Sequence, residues 1–379
     1  MRIGVNALSL HPRIDGAGRY TRNILRALSE LDRENEYILF LRRDNERLFA
    51  LEKPNFVNIP TDLKRSEGLR SILSDQIHLP RMAREHRVDL LWSPSDIAPQ
   101  RIHCPSIVTI HDLKRFALPH EYAFIERQYY KWYLKKTVQS ANLIFTVSES
   151  SGRDIMNYLG ITPERIIVAH NGLDPDIIAE EEGVPLETIQ RIHNLGPRFI
   201  LFVGQLIKSK NVCRMIRVFL HCQAAREYQF VLLGQPGSAM HDIEQTMRKE
   251  SKDEDIRKRI RLVNWVPTEQ LVAFYKNAAA LFFASLYEGF GFPLVEAMAC
   301  GLPIITSNVS SMPEVVGDAG CLVNPMDEPA MEQALSKILT NEWWRSHLIM
   351  KGRIRINNFS WENTALKYLE VFKRLKKGL

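Results

Sequence analysis

Tyr287-Glu288-Gly289-Phe290-Gly291-Phe292-Pro293-Leu294-Val295-Glu296-Ala297-Met298-Ala299-Cys300-Gly301 is the stretch on which the reading of this chain turns. Ahead of it, Ala279-Ala280-Leu281-Phe282-Phe283-Ala284 is an unbroken apolar run, the pattern of a buried strand. Pro293 suits the first turn of a helix, where the N–H that proline lacks would have no partner anyway. Gly301 predicts the helix stop, and Pro303-Ile304-Ile305-Thr306 the next strand. The unit is therefore strand, glycine-rich loop, short helix, strand. Such a loop presents unpaired backbone N–H groups to an anion such as a diphosphate. Glu288 and Glu296 would repel that anion, so hydroxyl groups are their expected partners. Phosphate together with many hydroxyls describes a sugar nucleotide. The alternative is a plain βαβ unit with turn glycines and solvated glutamates. Against it stand Glu288 inside the turn and Glu296 on the turn-facing end of the helix.

Working outward, strand-like runs alternate with helical patterns. Strands are expected at 2–7, 37–41, 88–93, 106–111, 143–147 and 166–169, with helices at 18–31, 75–87, 122–140 and 149–159. The alternation breaks at the turn-rich Asn171-Gly172-Leu173-Asp174-Pro175-Asp176 and the polar Glu180-Glu181-Glu182-Gly183. It restarts with strands at 198–204, 229–233, 260–264, 280–284, 303–306 and 321–323. The fold class is α/β: two doubly wound, Rossmann-like domains facing an interdomain cleft. Residues 1–171 form the first domain, 172–197 a linker and 198–360 the second. A last helix over 361–379 is free to pack back on the first domain.

The 379 residues carry 25% charged and 45% hydrophobic side chains, which excludes wholesale disorder. No apolar run is long enough to span a bilayer, and the chain enters a strand at once without a signal-peptide layout. The expected location is cytoplasmic. Five widely spaced cysteines without a C-x-x-C pair predict reduced, mostly buried thiols rather than disulfides or zinc. The net charge of +6 fits phosphate ligands, nucleic acid or an anionic lipid surface. Nucleic acid is disfavoured because no recognition motif for it is present. Arg127, Lys131, Lys135 and Lys136 alternate with Phe124, Tyr129, Tyr130, Trp132 and Tyr133. That pattern suits either a helix at a membrane interface or a core helix with solvated lysines.

Four further places carry candidate chemistry. Gly16-Ala17-Gly18-Arg19-Tyr20 follows the first strand, but Thr21 replaces the third glycine of a dinucleotide fingerprint. Its glycines either let a helix N-terminus approach a ligand or serve a turn. His111 ends a strand-like run, where an imidazole can bond a sugar hydroxyl, a leaving-group oxygen or the neighbouring backbone. Lys210 is the preferred diphosphate ligand after the 198–204 strand, with Lys208 an exposed competitor. Asp174-Pro175-Asp176 and Asp253-Glu254-Asp255 have metal-binding spacing but no strand-end context, so a solvated surface is favoured and no metal is assigned.

Taken together, these residues resemble the retaining glycosyltransferases of family 4, which have the GT-B fold. The agreement covers nearly the whole chain. It includes the Gly16–Tyr20 loop, Thr109-Ile110-His111-Asp112, Thr146-Val147-Ser148-Glu149, Asn171-Gly172-Leu173-Asp174, Val203-Gly204, Lys210-Asn211 and the E-x7-E pair Glu288 and Glu296. Pro313-Glu314-Val315 and Gly317-Asp318-Ala319-Gly320 complete it. The resemblance implies a nucleotide-sugar donor in the second domain and an acceptor mainly in the first. It implies that Glu288 holds sugar hydroxyls, Glu296 the ribose, Gly289, Phe290 and Gly291 the sugar and phosphates, and Lys210 the diphosphate. Gly16 and Gly18 would reach the donor, and His111 would line the reaction centre with Glu288. No cofactor or catalytic metal is implied. Gln205 stands where many members carry arginine, so Lys208 is the candidate to compensate. Members lacking that arginine include bacterial surface-polysaccharide mannosyltransferases, which share the pattern Ser307-Asn308-x-Ser310-Ser311-x-Pro313-Glu314. GDP-mannose is therefore the expected donor, and a lipid-linked or polysaccharide glycan at the inner membrane face the expected acceptor. The rivals are a UDP- or dTDP-sugar transferase, a GT-B epimerase or phosphorylase, and a catalytically silent nucleotide-sugar-binding protein.

Overall fold

The computed structural model describes residues 1–11, 15–63, 69–180, 183–250, 253 and 258–376. Thirteen strands are described: β1 (Arg2–Asn6), β2 (Glu36–Arg42), β3 (Phe56–Thr61), β4 (Leu90–Ser93), β5 (Ser106–Ile110), β6 (Leu143–Thr146), β7 (Ile166–Val168), β8 (Phe199–Val203), β9 (Gln229–Leu233), β10 (Ile260–Val263), β11 (Leu281–Phe283), β12 (Ile304–Ser307) and β13 (Gly320–Val323). They form two sheets, ordered β3-β2-β1-β4-β5-β6-β7 and β10-β9-β8-β11-β12-β13, and every pairing is parallel.

The central strands are apolar on both faces because helices cover both. Tyr37 through Leu41 are all fully buried, and so are Phe199 through Phe202. β3 was not expected from the sequence. It is an edge strand with only Phe56 buried, and it carries Pro60, which is tolerated only where no ladder N–H is required.

The chain divides into two compact units, Met1–Gly172 with Ser360–Leu379, and Leu173–Phe359. The segment expected as a linker at 172–197 instead carries helices Pro175–Ala179 and Leu186–His193, which belong to the second unit. Ile177 and Leu173 pack on Val272, and Ile189 is fully buried. The Leu173 N–H donates to Phe359 O at 3.1 Å, so the two ends of this unit are fastened to each other. The last helix, Trp361–Lys376, packs in the first unit on the helix Gly16–Leu31. There the Tyr368 ring stacks on Phe145 at 3.7 Å, and its hydroxyl meets Thr109 Oγ1 at 2.9 Å.

Each sheet reverses its winding once, at β1/β4 in the first and at β8/β11 in the second. The loops leaving those two strands run to opposite sides, which opens a crevice beyond their carboxyl ends. In the second unit the loop after β8 lies directly on the loop after β9. Gly204 N donates to Leu233 O, Leu206 N to Gln235 O and Ala239 N to Leu206 O, at 2.9, 2.9 and 3.0 Å. Gly234 makes this approach possible, since a Cβ there would lie 1.9 Å from Gly204 O. Gly234→Ala should therefore cost about 3 kcal/mol in chemical unfolding and displace the loop carrying Lys210. An unchanged denaturation midpoint would show that the two loops do not need this contact.

Candidate donor and acceptor sites

The glycine-rich stretch folds as its sequence implies. The helix Phe292–Ala299 has Pro293 in its first turn and is preceded by Gly291 at φ +100°. It stops at Gly301, φ +68°, where Gly301 N donates to Met298 O and Leu302 N to Ala297 O. This pair of bonds closes the last turn around a left-handed glycine. The loop ahead of the helix is gripped from β12's exit. Ser310 Oγ donates to Glu288 O at 2.6 Å and accepts from Glu288 N at 3.2 Å, while Ser311 Oγ lies 3.0 Å from both Glu288 O and Phe290 O. The hydroxyls of the Ser-Asn-x-Ser-Ser pattern thus fix the backbone that carries Glu288.

Lys210 comes to the same place from β8. Asn211, in the left-handed region at φ +58°, donates through Nδ2 to Ala284 O and Pro325 O at 3.0 and 2.8 Å. Those bonds tie the loop after β8 to the exit of β11. Lys210 Nζ then donates to both oxygens of Glu288, at 2.6 and 2.8 Å, and lies 5.3 Å from the centre of the Phe283 ring. Only 17% of the Lys210 side chain and 11% of Glu288 are exposed, so solvent screens this pair weakly. The expected phosphate ligand and the expected sugar ligand therefore hold each other. Lys208 is exposed and reaches Asp242 at 3.2 Å, and Gln205 is also exposed. Glu296 is not at the turn-facing end of its helix but in its second half, 2% exposed, with Tyr275 Oη donating to it at 2.6 Å.

Gly16, Gly18 and His111 belong to the first unit, not to the one that carries Lys210 and Glu288. Gly16 and Gly18 form the first turn of the helix Gly16–Leu31, which Asp15 caps by accepting from Gly18 N at 2.7 Å. His111 follows β5 directly. Its Nε2 lies 2.8 Å from Pro94 O, and because a carbonyl only accepts, that nitrogen carries the proton. With Nε2 donating there, Nδ1 is the ring nitrogen left facing away from Pro94 O. The ring is held edge to face against Tyr20 at 4.8 Å, and the Tyr20 hydroxyl is bonded to that of Tyr368. Burial raises the Tyr20 hydroxyl far above its ordinary value, so it stays a neutral hydroxyl.

Two sequence expectations are reassigned. Asp174 is buried and caps the helix Pro175–Ala179, accepting from Asp176 N at 3.1 Å. Glu254 and Asp255 lie outside the described residues. The five cysteines are free thiols; Cys222 is buried and the other four are half-buried, a more open placement than expected. Burial pushes the Cys104 and Cys300 thiols up to about 11 and about 12, which keeps them protonated and unreactive.

Sequence reasoning missed Asp96. It follows β4 in Pro94-Ser95-Asp96-Ile97, which reads as an ordinary turn. Its Oδ2 accepts from Tyr130 Oη at 2.6 Å and its Oδ1 from His111 N at 3.4 Å. Burial raises its ionisation above the usual carboxylate range. His111, Tyr130 and Arg115 oppose that shift, and Asp112 adds to it. A raised carboxyl makes a stability contribution that is complete at low pH and lost as pH rises through the folded value. Asp96→Asn should therefore gain in melting temperature relative to the natural chain as pH rises from roughly 4 to 7. A melting-temperature difference independent of pH would mean that Asp96 is not held above the ordinary range.

Comparison with known proteins places these features. The description Glycosyltransferase Family 4 matches residues 14–177, and Glycosyl transferases group 1 matches residues 187–355. The chain is 27% identical over 377 residues to O-antigen chain mannosyltransferase B of Escherichia coli, covering 96% of this chain and 97% of that protein. It is 25% identical to serotype-specific mannosyltransferase WbdA of Escherichia coli over 74% of its own length, and spans about a third of that protein (34%). Sucrose-phosphate synthase of Thermosynechococcus elongatus superposes with a TM-score of 0.78 at 19% identity, over 100% of this chain and 99% of that one. The chain is a glycosyltransferase enzyme of GT-B fold, and it belongs to the family that joins a family 4 first half to a group 1 second half.

Proposed function

We propose that this glycosyltransferase moves mannose from GDP-mannose, with retention at the anomeric carbon, onto a lipid-linked or polysaccharide acceptor in surface glycan synthesis. The observation that carries the reading is the Lys210–Glu288 pair at the β8/β11 crevice, a cation for the diphosphate set against a carboxylate for sugar hydroxyls. Two relatives named as O-antigen or serotype-specific mannosyltransferases support the choice of sugar. In this reading Lys210 turns part of its charge to the diphosphate as the donor enters, and Glu288 takes up the hexose hydroxyls. Backbone groups of Gly289, Phe290 and Gly291 line the sugar, and Glu296 receives the ribose.

The bond from the anomeric carbon to the phosphate oxygen breaks while the acceptor oxygen approaches from the same face. The acceptor's proton passes to the departing phosphate, so no covalent carboxylate intermediate forms. Glu288, neutralised by an ammonium at 2.6 Å, suits binding rather than nucleophilic attack. His111 lines the acceptor side with Nδ1, and Gln205 and Lys208 flank the phosphates. No cofactor enters the scheme. Titration calorimetry with GDP-, UDP-, dTDP- and ADP-sugars should show preference for GDP-mannose, and Lys210→Ala should weaken it roughly tenfold to a hundredfold. Tight binding of a UDP-sugar with none of GDP-mannose overturns the donor, and unchanged affinity in the variant moves the phosphate role elsewhere.

The same reading puts the first unit on the cytoplasmic face of an anionic membrane. No helix among the described residues is long and apolar enough to cross one. The helix Phe124–Ser140 buries Tyr133, Leu134, Thr137 and Val138 in the core, and exposes Phe124 and Ile125 at its start and Trp132 one turn before the exposed Lys135 and Lys136. Aromatic groups next to lysines fit anionic headgroups and the acyl boundary beneath them. The chain should sediment with phosphatidylglycerol vesicles and not with phosphatidylcholine vesicles, and replacing Phe124, Ile125 and Trp132 by serine should release it. Failure to sediment removes the membrane from the proposal.

A further inference from the structure

We propose that the outward face of the helix Glu342–Arg355 is a docking surface for a second copy of this chain, paired antiparallel about a two-fold axis. The inward face of that helix is already used. Leu348 is buried, and Gly352 lies so close to the helix Phe292–Ala299 that a Cβ there would come 3.3 Å from Met298 Cγ. Arg355 Nε fastens the last turn by donating to Val315 O at 2.6 Å. A helix anchored in this way should be polar where it faces solvent. Instead Trp343, Met350 and Ile354 are 70%, 53% and 66% exposed, with half-buried His347 between them. Their spacing of four, three and four residues keeps the group within about 60° of the helix circumference, on the side away from Gly352. That is the seam of a coiled coil, on a face that the rest of the described chain leaves uncovered.

The side chains along the seam select what covers it. The Trp343 ring stacks on His347 at 5.3 Å and 12°, which fixes a large flat group at the start of the helix. A second helix turned end for end sets Trp343 against Ile354 of the second copy, and His347 against Met350 of the second copy. Each contact then occurs twice, as a two-fold interface requires, and an imidazole meets a polarisable thioether at the centre. The charges agree with this direction. Glu342 begins the helix and Arg353 stands in its last turn, both exposed and both on one flank of the seam. End-for-end pairing keeps that flank on one side. At about 1.5 Å per residue it brings each Arg353 within about 3 Å, along the axis, of Glu342 of the second copy. Parallel pairing would leave the two charges at opposite ends of the contact. An anionic membrane fits less well, because Glu342 stands beside Trp343 where that ring would enter the headgroups. A seam of three turns is short for an interface, so the dimer should form at micromolar rather than nanomolar concentration.

The test is sedimentation velocity of the full chain between about 1 and about 100 μM. The natural chain should pass from the 43.8 kDa monomer toward twice that mass as its concentration rises. Trp343→Ser and Ile354→Arg should each stay monomeric throughout, with unchanged far-ultraviolet circular dichroism; both side chains are exposed, so neither substitution disturbs the core. Glu342→Arg and Arg353→Glu should each weaken dimerisation about fivefold or more, and the two together should restore it. A natural chain that remains monomeric at the highest concentration overturns the proposal. A dimer untouched by Trp343→Ser and Ile354→Arg puts the contact on another face and also overturns it. Dimerisation weakened in the single charge variants and not recovered in the double variant overturns the antiparallel arrangement. A chain that is monomeric in solution and loses phosphatidylglycerol vesicles on Trp343→Ser would make the seam a membrane contact instead.

Discussion

The reversal of winding within each parallel sheet is the constraint from which the rest of the molecule follows. A parallel sheet must bury both faces, so its connections are helices, and a chain covering both faces has to change direction once. At that change two neighbouring strand exits part company, and no connection closes the gap between them. In the second unit the exits of β8 and β11 deliver Lys210 and Glu288 to one point. In the first, the exits of β1 and β4 deliver Ser9 and Ser95 to another. The two crevices share a topology and differ in the side chains that meet there.

What holds each crevice in shape is mostly uncharged. Asn211 ties three strand exits together with two side-chain bonds, and Ser310 and Ser311 fix the carbonyls that carry Glu288. In the first unit a relay of hydroxyls runs from Tyr368 through Tyr20, whose ring then carries His111. Buried hydroxyls and amides are suited to holding such a frame because their bonds have fixed length and direction and carry no charge to desolvate. The frame around the Lys210–Glu288 pair is accordingly held by bonds other than the ion pair itself.

The fold was legible in the sequence wherever the apolar run was continuous. Phe199–Val203 and Leu281–Phe283 could be read because both faces of those strands are covered, so no polar residue interrupts them. β3 was illegible because it is half-covered and contains Pro60, which argues against a strand unless the strand is known to be an edge. The segment 172–197 resembled a linker because Asp174-Pro175 and Glu180–Glu182 are turn and surface residues. Asp174 is in fact a buried cap, and Ile177 and Ile189 supply a core that two isolated isoleucines do not advertise. At the sites, Lys210 and Glu288 could be named from their strand-end positions, but their direct pairing is a contact over 78 positions that no local pattern encodes. Asp96 was missed for the same reason: its partners Tyr130 and His111 are on other elements, and four turn-like residues say nothing of them.

The bond between Leu173 N and Phe359 O makes the second unit a continuous segment whose two ends are held together, with the first unit split around it. On the ribosome the second unit can therefore complete its core while the first still lacks the helix that supplies Tyr368. For the time needed to synthesise residues 173 to 359, the faces of Phe145 and Trp92 that pack against Tyr368 lie uncovered. The half that carries His111 is thus the last to be finished, although it is the first to be made.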